Sequence, residues 1–459
     1  MFKIQPRVRP SLPAALFLTA VIVALISFSI VKLESVPHIP ILLSIFVLLS
    51  FGALKKIPLK TMEEGMIEGA KSGMGAVFIF FLIGVLISSW IISGTIPTMI
   101  YTAFSLVTPN FFYSIVFIVT AIVGLGIGSS LTTVATIGVA FIGVSQAVDA
   151  SAAITAGAIV SGAFFGDKMS PLSDTTNLAA SIVGVDLFTH IRNMCWTTVP
   201  AFLITLVLFG IVSPEVEQTQ FPKVEAIKAA LSEMNLIHWD AWLPLVLLFF
   251  LSIKKVSPIV TLALSSAFGV LLSFFHSDRT LAEIWNILFS GFVSKTGNAD
   301  VDALLTRGGM DSMMFTVSLV LLSLGLGGLL FSLGIVPRLF EAIEHYLRKV
   351  ASTVAAAALS AIGINFVIGE QYLSILLTGE AFQRQFEKVG LARKNLSRTL
   401  EDAGTVINPL VPWGVCGVFI TKMLGVATIA YVPFAFFCLL SPLLTILYGV
   451  TGWTLTKKE

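Results

Sequence analysis

The sequence predicts an all-α polytopic membrane protein. It reads as two inverted repeats of five transmembrane helices plus one re-entrant hairpin each, with helices broken at mid-membrane. Three observations lead there. Apolar residues make up 56% of the 459 residues and charged ones only 12%, with a mean hydropathy of +0.95, whereas soluble domains average about 25% charged. A polar stretch, GDKMSPLSDTTN at 166–177, interrupts an apolar run, and a second, LEDAGTVINPLVPWG, does the same at 400–414. Finally, the order of features recurs at an offset of roughly 240 residues, a period of half-transporters rather than of a solenoid.

A crossing helix needs about 20 apolar residues. Residues 12–31 and 37–54 meet this need, or nearly so. Lys3, Arg7 and Arg9 precede the first run, but no small-residue cleavage site follows it, so it reads as a span rather than a signal peptide. The third span is 73–93. Residues 111–148 are apolar with a soft centre, GLGIGSSLTTVAT: two full crossings, or a hairpin with its tip near 128–133. Residues 151–189 hold the first break, and 194–212 form a plain span. Residues 213–240 are a polar connector with a helix-like piece at 224–235. The second half brings spans at 239–253 and 257–275, a polar connection at 276–311 with an amphipathic piece at 281–292, and a span at 312–333. A charged amphipathic piece at 338–349 and a soft-centred segment at 351–386, centred on 365–374, come next. The second broken segment at 396–424 and a last span at 428–450 complete the chain. The expected domains are therefore 1–212, a connecting segment at 213–240, and 241–459.

The repeat is visible in single residues. Gly69, Ser72, Met74, Gly94 and Pro97 fall on Gly309, Ser312, Met314, Gly334 and Pro337, and Gly128 and Thr133 on Gly369 and Ser374. With each soft-centred segment as a hairpin, a half has an odd number of crossings, so the halves are inverted. Placing the N-terminus inside then puts Arg7, Arg9, Lys55, Lys56, Lys60, Lys71, Lys254, Lys255, Arg348, Lys349, Arg393, Lys457 and Lys458 on the inner side. The outer side keeps Lys32, Lys223, Lys228, Arg279, Lys295 and Arg307, a bias that obeys the positive-inside rule. Both termini are expected to be cytoplasmic, in a cytoplasmic membrane.

The ionisable groups inside the apolar segments carry the chemistry, because charge at bilayer depth usually faces a bundle interior or water. The first hairpin tip offers Ser129, Ser130 and Thr133, and the first break Asp167, Lys168, Asp174, Thr175 and Asn177. The second tip offers Glu370 and Ser374, and the second break Glu401, Asp402 and Asn408. These are hard oxygen donors of the kind sodium prefers. A proton and a cation competing for one carboxylate is the simplest device for antiport. Asp167, Asp174 and Asp402 are the candidate sodium ligands, and Lys168 the charge-compensating group. The bland alternatives are hydroxyls bonded back to helix carbonyls and acids held in a structural pair with Lys168. Cys195, Cys416 and Cys438 lack metal or disulfide spacing and read as small core residues. No cofactor and no nucleic-acid partner is expected; sodium enters as cargo.

GAFFGDKMSPLSDTTNLA, together with LSRTLEDAGTVINPLVPWGVCGVF, resembles the NhaC family of bacterial sodium/proton antiporters, which also contains malate/lactate antiporters. The resemblance covers essentially the whole chain. It implies roles for Asp167, Asp174, Thr175, Asn177, Glu401, Asp402 and Asn408, and it implies inverted repeats, paired hairpins and a homodimer. Sodium/proton exchange is the expected activity. Sodium- and proton-coupled exchange of malate for lactate is the alternative, against which stands the lack of an arginine clearly at mid-membrane. GDK is superficially similar to aspartyl intramembrane proteases, but Phe164 stands where their glycine would, so an enzyme is not expected.

Overall fold

In hydrocarbon every backbone N–H and C=O must be satisfied within its own segment, which favours helices. The computed structural model describes residues 6–106, 111–148, 150–213, 221–344 and 347–458. Lys3, residues 214–220 of the connector and residues 345–346 lie outside them. Leu12–Val31, Met74–Ile92, Leu187–Val212, Pro258–His276, Asp311–Ser332 and Val350–Ile368 are each long and apolar enough to cross a membrane. Two bent pairs, Arg393–Leu410 with Val415–Leu424 and Thr428–Phe434 with Phe436–Thr451, add two more. Strand pairing among the described residues is confined to two isolated bridges, Phe292 with Arg307 and Leu391 with Lys457. The chain is an all-α polytopic membrane protein.

Several boundaries differ from the sequence expectation. The sequence reading placed the lysines of 55–72 on the inner side and assigned the stretch no element; Leu59–Ser72 is a helix. Its Glu and Lys residues mask the amphipathic period that buries Met62, Gly65 and Gly69. Thr95–Leu106 is a further helix that the sequence reading left unassigned. The first broken segment ends at Val183, before the expected 189. There Gly184 takes a left-handed conformation, and Asp186 caps the next helix by accepting from the Thr189 N–H at 2.9 Å. That helix, Leu187–Val212, runs through Pro200 in one piece.

Two sets of helices surround the centre. His38–Leu54 and Leu59–Ser72 pack on Met314–Ser332, while Pro258–His276 and Leu281–Ser290 pack on Met74–Ile92. Between them, Phe112–Ile127 lies along Ala152–Met169, Asp174–Val183 packs on Gln371–Lys388, and Val415–Leu424 packs on Val134–Gly138. The approach of Phe112–Ile127 to Ala152–Met169 depends on Gly162 and Gly166, one turn apart. A Cβ on Gly162 would lie 2.4 Å from the Phe117 carbonyl oxygen, and one on Gly166 would lie 2.4 Å from the Leu125 nitrogen. Small residues at this spacing are how membrane helices pack backbone to backbone, and here the contact holds the neighbouring Asp167 against the first hairpin.

Each soft-centred segment is a helix, a glycine turn and a second helix. Phe112–Ile127 turns at Gly128 (φ 71°), after which Ser129 is extended and the chain re-enters helix. Val350–Ile368 turns at Gly369 (φ 78°), after which Glu370 is extended and Gln371–Lys388 follows. Positive φ at each turn is glycine's province. The first arm, with 16 residues, is short for a crossing, whereas Val350–Ile368 with 19 is long enough by itself. Both broken segments are interrupted. Residues 170–173 separate Ala152–Met169 from Asp174–Val183. In the second, Arg393–Leu400 passes into a π-helical turn, Glu401–Thr405, then a 3₁₀ turn, Asn408–Leu410, and finally Val415–Leu424 at a bend of 47°.

Candidate functional site

The first hairpin tip is built by hydroxyls. Ser129 Oγ accepts from the Thr132 N–H at 3.3 Å and from the Thr132 hydroxyl at 3.0 Å, capping the short helix that follows. That places the Ser130 hydroxyl 2.6 Å from Asp167 Oδ2, to which it donates. Asp167 is the next-to-last but one residue of its helix, and only 5% exposed. Beyond the break, Ser173 caps Asp174–Val183, accepting from the Thr176 N–H, and its hydroxyl lies 3.0 Å from that of Thr175. Asn177 donates its amide to the carbonyls of Pro171 and Ser173, at 3.0 and 2.7 Å, and so holds the non-helical loop. Asp174, exposed, stands at a helix N-terminus, where backbone N–H groups favour negative charge.

The second tip uses a carboxylate where the first uses a serine. Glu370 caps Gln371–Lys388 by accepting from the Leu373 N–H at 2.9 Å. The Val415 N–H donates to the Gly369 carbonyl at 2.8 Å and ties this turn to the second broken segment.

These pieces enclose a cavity of about 300 Å³. Of the sequence candidates, Ser129, Ser130, Asp167, Asp174, Thr175, Asn177 and Glu370 line it. Gln371, Tyr372 and Cys416 join them, as do Phe80 and Val320 from the surrounding helices, and Lys255 and Ser257 from the turn after Leu243–Ile253. Among the described residues, no three His, Cys, Asp or Glu side chains converge closely enough to hold a metal ion. The acids line the cavity separately.

The remaining candidates lie behind it. Asp402 is fully buried and bonded to Lys168, to the Thr445 hydroxyl, and to the Thr197 hydroxyl at 3.1 Å. Asp402 is thus held apart from Asp167 and Asp174, the other two expected sodium ligands, and Lys168 ties the first broken segment to the second. Asn408 donates to Asn365 Oδ1 at 2.8 Å and accepts from the Cys416 N–H at 2.9 Å. Asn365 in turn donates to the Gly404 carbonyl at 2.7 Å and to Ser374 Oγ at 3.2 Å. Ser374 itself donates to the Ala361 carbonyl, and Thr133 to the Ser129 carbonyl, at 2.7 and 2.8 Å. Thr133 makes the local bond back to a carbonyl four residues earlier, whereas Ser374 reaches across the turn to the preceding helix. Glu401 is fully buried in the π-helical turn.

Sequence reasoning missed Thr197 and Thr445. Each is one of several hydroxyls in its helix, and nothing in the local pattern separates it from one that bonds its own helix. Lys255 was likewise read only as an inner-side charge, and Ser257 only as the first residue of a span.

A helical membrane protein whose interrupted helices and glycine turns meet around a cavity with carboxylates and hydroxyls in its wall has the architecture of a secondary transporter. Residues 162–453 match the model of the Na+/H+ antiporter family, and the chain belongs to that family. It is 42% identical to the Na(+)/H(+) antiporter NhaC of Alkalihalophilus pseudofirmus, over 97% of this chain and 96% of that one. It is 40% identical to the Na(+)/H(+) antiporter NhaC of Bacillus subtilis, over 95% and 97%. The Malate-2H(+)/Na(+)-lactate antiporter of Bacillus subtilis is a more distant relative, at 30% over 96% and 95%. These alignments place the chain with the NhaC proteins rather than beside the malate/lactate branch.

Proposed function

We propose that this protein exchanges sodium for protons across the cytoplasmic membrane, with sodium and a proton competing for Asp167. The observation that carries this reading is the buried Asp167 carboxylate, bonded to Ser130 of the hairpin tip at 2.6 Å and open to the cavity. Asp174, Thr175 and Glu370 add oxygen ligands from the same cavity wall. The names of the relatives at 40–42% identity support the same cargo. Among the described lining residues there are three acids, Asp167, Asp174 and Glu370, one cation, Lys255, and no arginine. That balance favours a cation over malate or lactate as the cargo of the cavity.

We further propose that the two halves, 1–212 and 241–459, are inverted repeats joined by 213–240. Reciprocal packing supports it. His38–Leu54 rests on Met314–Ser332 as Pro258–His276 rests on Met74–Ile92, and Asp174–Val183 meets the second hairpin as Val415–Leu424 meets the first. With both termini cytoplasmic, Gly73, Leu187 and the Lys255–Pro258 turn mark the inner end of the cavity, so this conformation opens inward. A homodimer through the surrounding helices is the expected assembly.

The test is transport in proteoliposomes. Sodium-dependent proton movement is expected with no organic acid present; a strict requirement for malate or lactate would overturn the reading.

A further inference from the structure

The polar connection between Leu281–Ser290 and the span Asp311–Ser332 is more tightly built than a tether. Asp302 accepts from the Ser294 hydroxyl at 2.7 Å, and from the Thr296 N–H and hydroxyl at 2.7 and 2.9 Å. The Phe292 N–H donates to the Arg307 carbonyl at 3.0 Å and closes the loop. Its last residues are fixed to the surrounding helices. The Gly309 N–H donates to the Gly84 carbonyl of Met74–Ile92 at 2.9 Å, and the Met310 N–H to the Leu288 carbonyl at 3.0 Å. A Cβ on Gly84 would lie 2.4 Å from the Gly309 carbonyl oxygen, so the two backbones touch.

The same loop grips the centre of the protein. Arg307 donates from Nη1 to the Met423 carbonyl and from Nη2 to the Ala303 carbonyl, each at 3.3 Å. Met423 lies in the last turn of Val415–Leu424. The last carbonyls of a helix have no partner within it, and its dipole favours a cation at that end. At the other end of the same helix, Val415 and Cys416 line the cavity. Leu304, in the short helix Ala299–Leu305, meets Gly143 of Val139–Ala147, which ends the first soft-centred segment. A Cβ on Gly143 would lie 2.6 Å from Leu304 Cδ2. One loop therefore joins a surrounding helix to two central ones, at the ends away from the inner mouth of the cavity.

We infer that residues 291–310 form an outer latch. Arg307 and Leu304 hold the far ends of Val415–Leu424 and Val139–Ala147 against the surrounding helices while the cavity opens inward, and both contacts part before it opens outward. This rests on the inward-open reading above and not on the identity of the cargo. Hydrogen–deuterium exchange of the full chain tests it. Arg307→Met keeps the length of the side chain and removes its donors, and loss of a charge-assisted hydrogen bond should shift the outward-to-inward population about tenfold. Deuterium uptake is then expected to rise over 139–147 and 415–424 and to fall over 255–262 at the inner mouth. A rise confined to 291–310 and 421–425, with 255–262 unchanged, overturns the inference, because Arg307 would then be a local helix cap. Unchanged uptake throughout overturns it as well. A cross-link keeps Arg307 and decides the matter where Arg307→Met does not fold. Gly143→Cys combined with Leu304→Cys is expected to form a disulfide that stops ²²Na counterflow in proteoliposomes, and reduction should restore it. Failure of the disulfide to form, or counterflow that continues through it, overturns the latch. Wild-type protein without sodium counterflow would instead sink the exchange reading, and the deuterium result would still decide the latch.

Discussion

At the scale of residues, one carboxylate meets the cavity and another is kept from it. Asp167 has a single serine hydroxyl on Oδ2 and an open face, whereas Asp402 is surrounded by Lys168, Thr197 and Thr445. Asp167→Asn keeps the shape and removes the titratable charge, so exchange should fall by about two orders of magnitude or more, with insertion and folding retained. Proteoliposome flux checks this, and wild-type rates would refute it. For the pair behind the cavity, Lys168→Met leaves the Asp402 charge buried with two hydroxyls. Breaking a buried pair costs about 3–5 kcal/mol, while replacing both partners with apolar groups is often close to neutral. Thermal unfolding in detergent should therefore show a large loss for Lys168→Met and recovery of most of it in Lys168→Met with Asp402→Leu. Equal stability of the single variant and wild type would mean that the pair holds nothing together.

At the scale of elements, the site depends on how closely two helices run. Gly166 lets Ala152–Met169 approach Phe112–Ile127, and the approach presents Asp167 to Ser130. Gly166→Val would place new atoms where the Leu125 nitrogen and the Gly124 carbonyl carbon already lie. Overpacking of this kind costs about 1–3 kcal/mol, and it should also weaken sodium affinity by separating the two side chains. Gly75→Ala is the control: it has nothing within 4 Å of the new methyl, and it should leave melting temperature and transport near wild type. At the hairpin turn, Gly128→Ala meets a left-handed φ and the Leu172 Cβ at 2.6 Å. It should therefore destabilise the tip more than a similar change in mid-helix. The two breaks differ in kind. In the first, Ser173 and Asn177 satisfy the freed backbone groups, and in the second a π-turn and a 3₁₀ turn absorb the bend.

At the scale of the whole molecule, the inverted-repeat reading has a directional consequence. On that proposal the two hairpins enter from opposite sides, and Ser130 and Gln371 line one cavity. Ser130→Cys should react with an impermeant thiol reagent from outside in an outward-open state, and Gln371→Cys from inside in an inward-open one. Labelling of both from the same side only would refute the arrangement. The length of Val350–Ile368 makes the second hairpin the sharper test, since that arm is long enough to cross by itself.

The sequence by itself determined the membrane class, the two breaks, the two glycine turns and the buried or cavity-lining acids. Each of these is a local signal: an apolar run of crossing length, a proline among hydroxyls and acids, or a glycine followed by a capping residue. Asp167, Ser130 and Glu370 were legible because a polar group in an apolar run must be answered somewhere in the structure. Only the tertiary structure decided which groups answer which. Lys168 and Asp402 are more than two hundred residues apart in the chain, as the separation of 234 records, and their pairing depends on how the two broken segments cross. Thr197 and Thr445 become ligands of Asp402 for the same reason. The helix Leu59–Ser72 escaped notice because its charged face outweighs its buried one in composition, and only the Met314–Ser332 helix against it shows which face is buried. Local chemistry states what must be satisfied; the three-dimensional path of the chain states by whom.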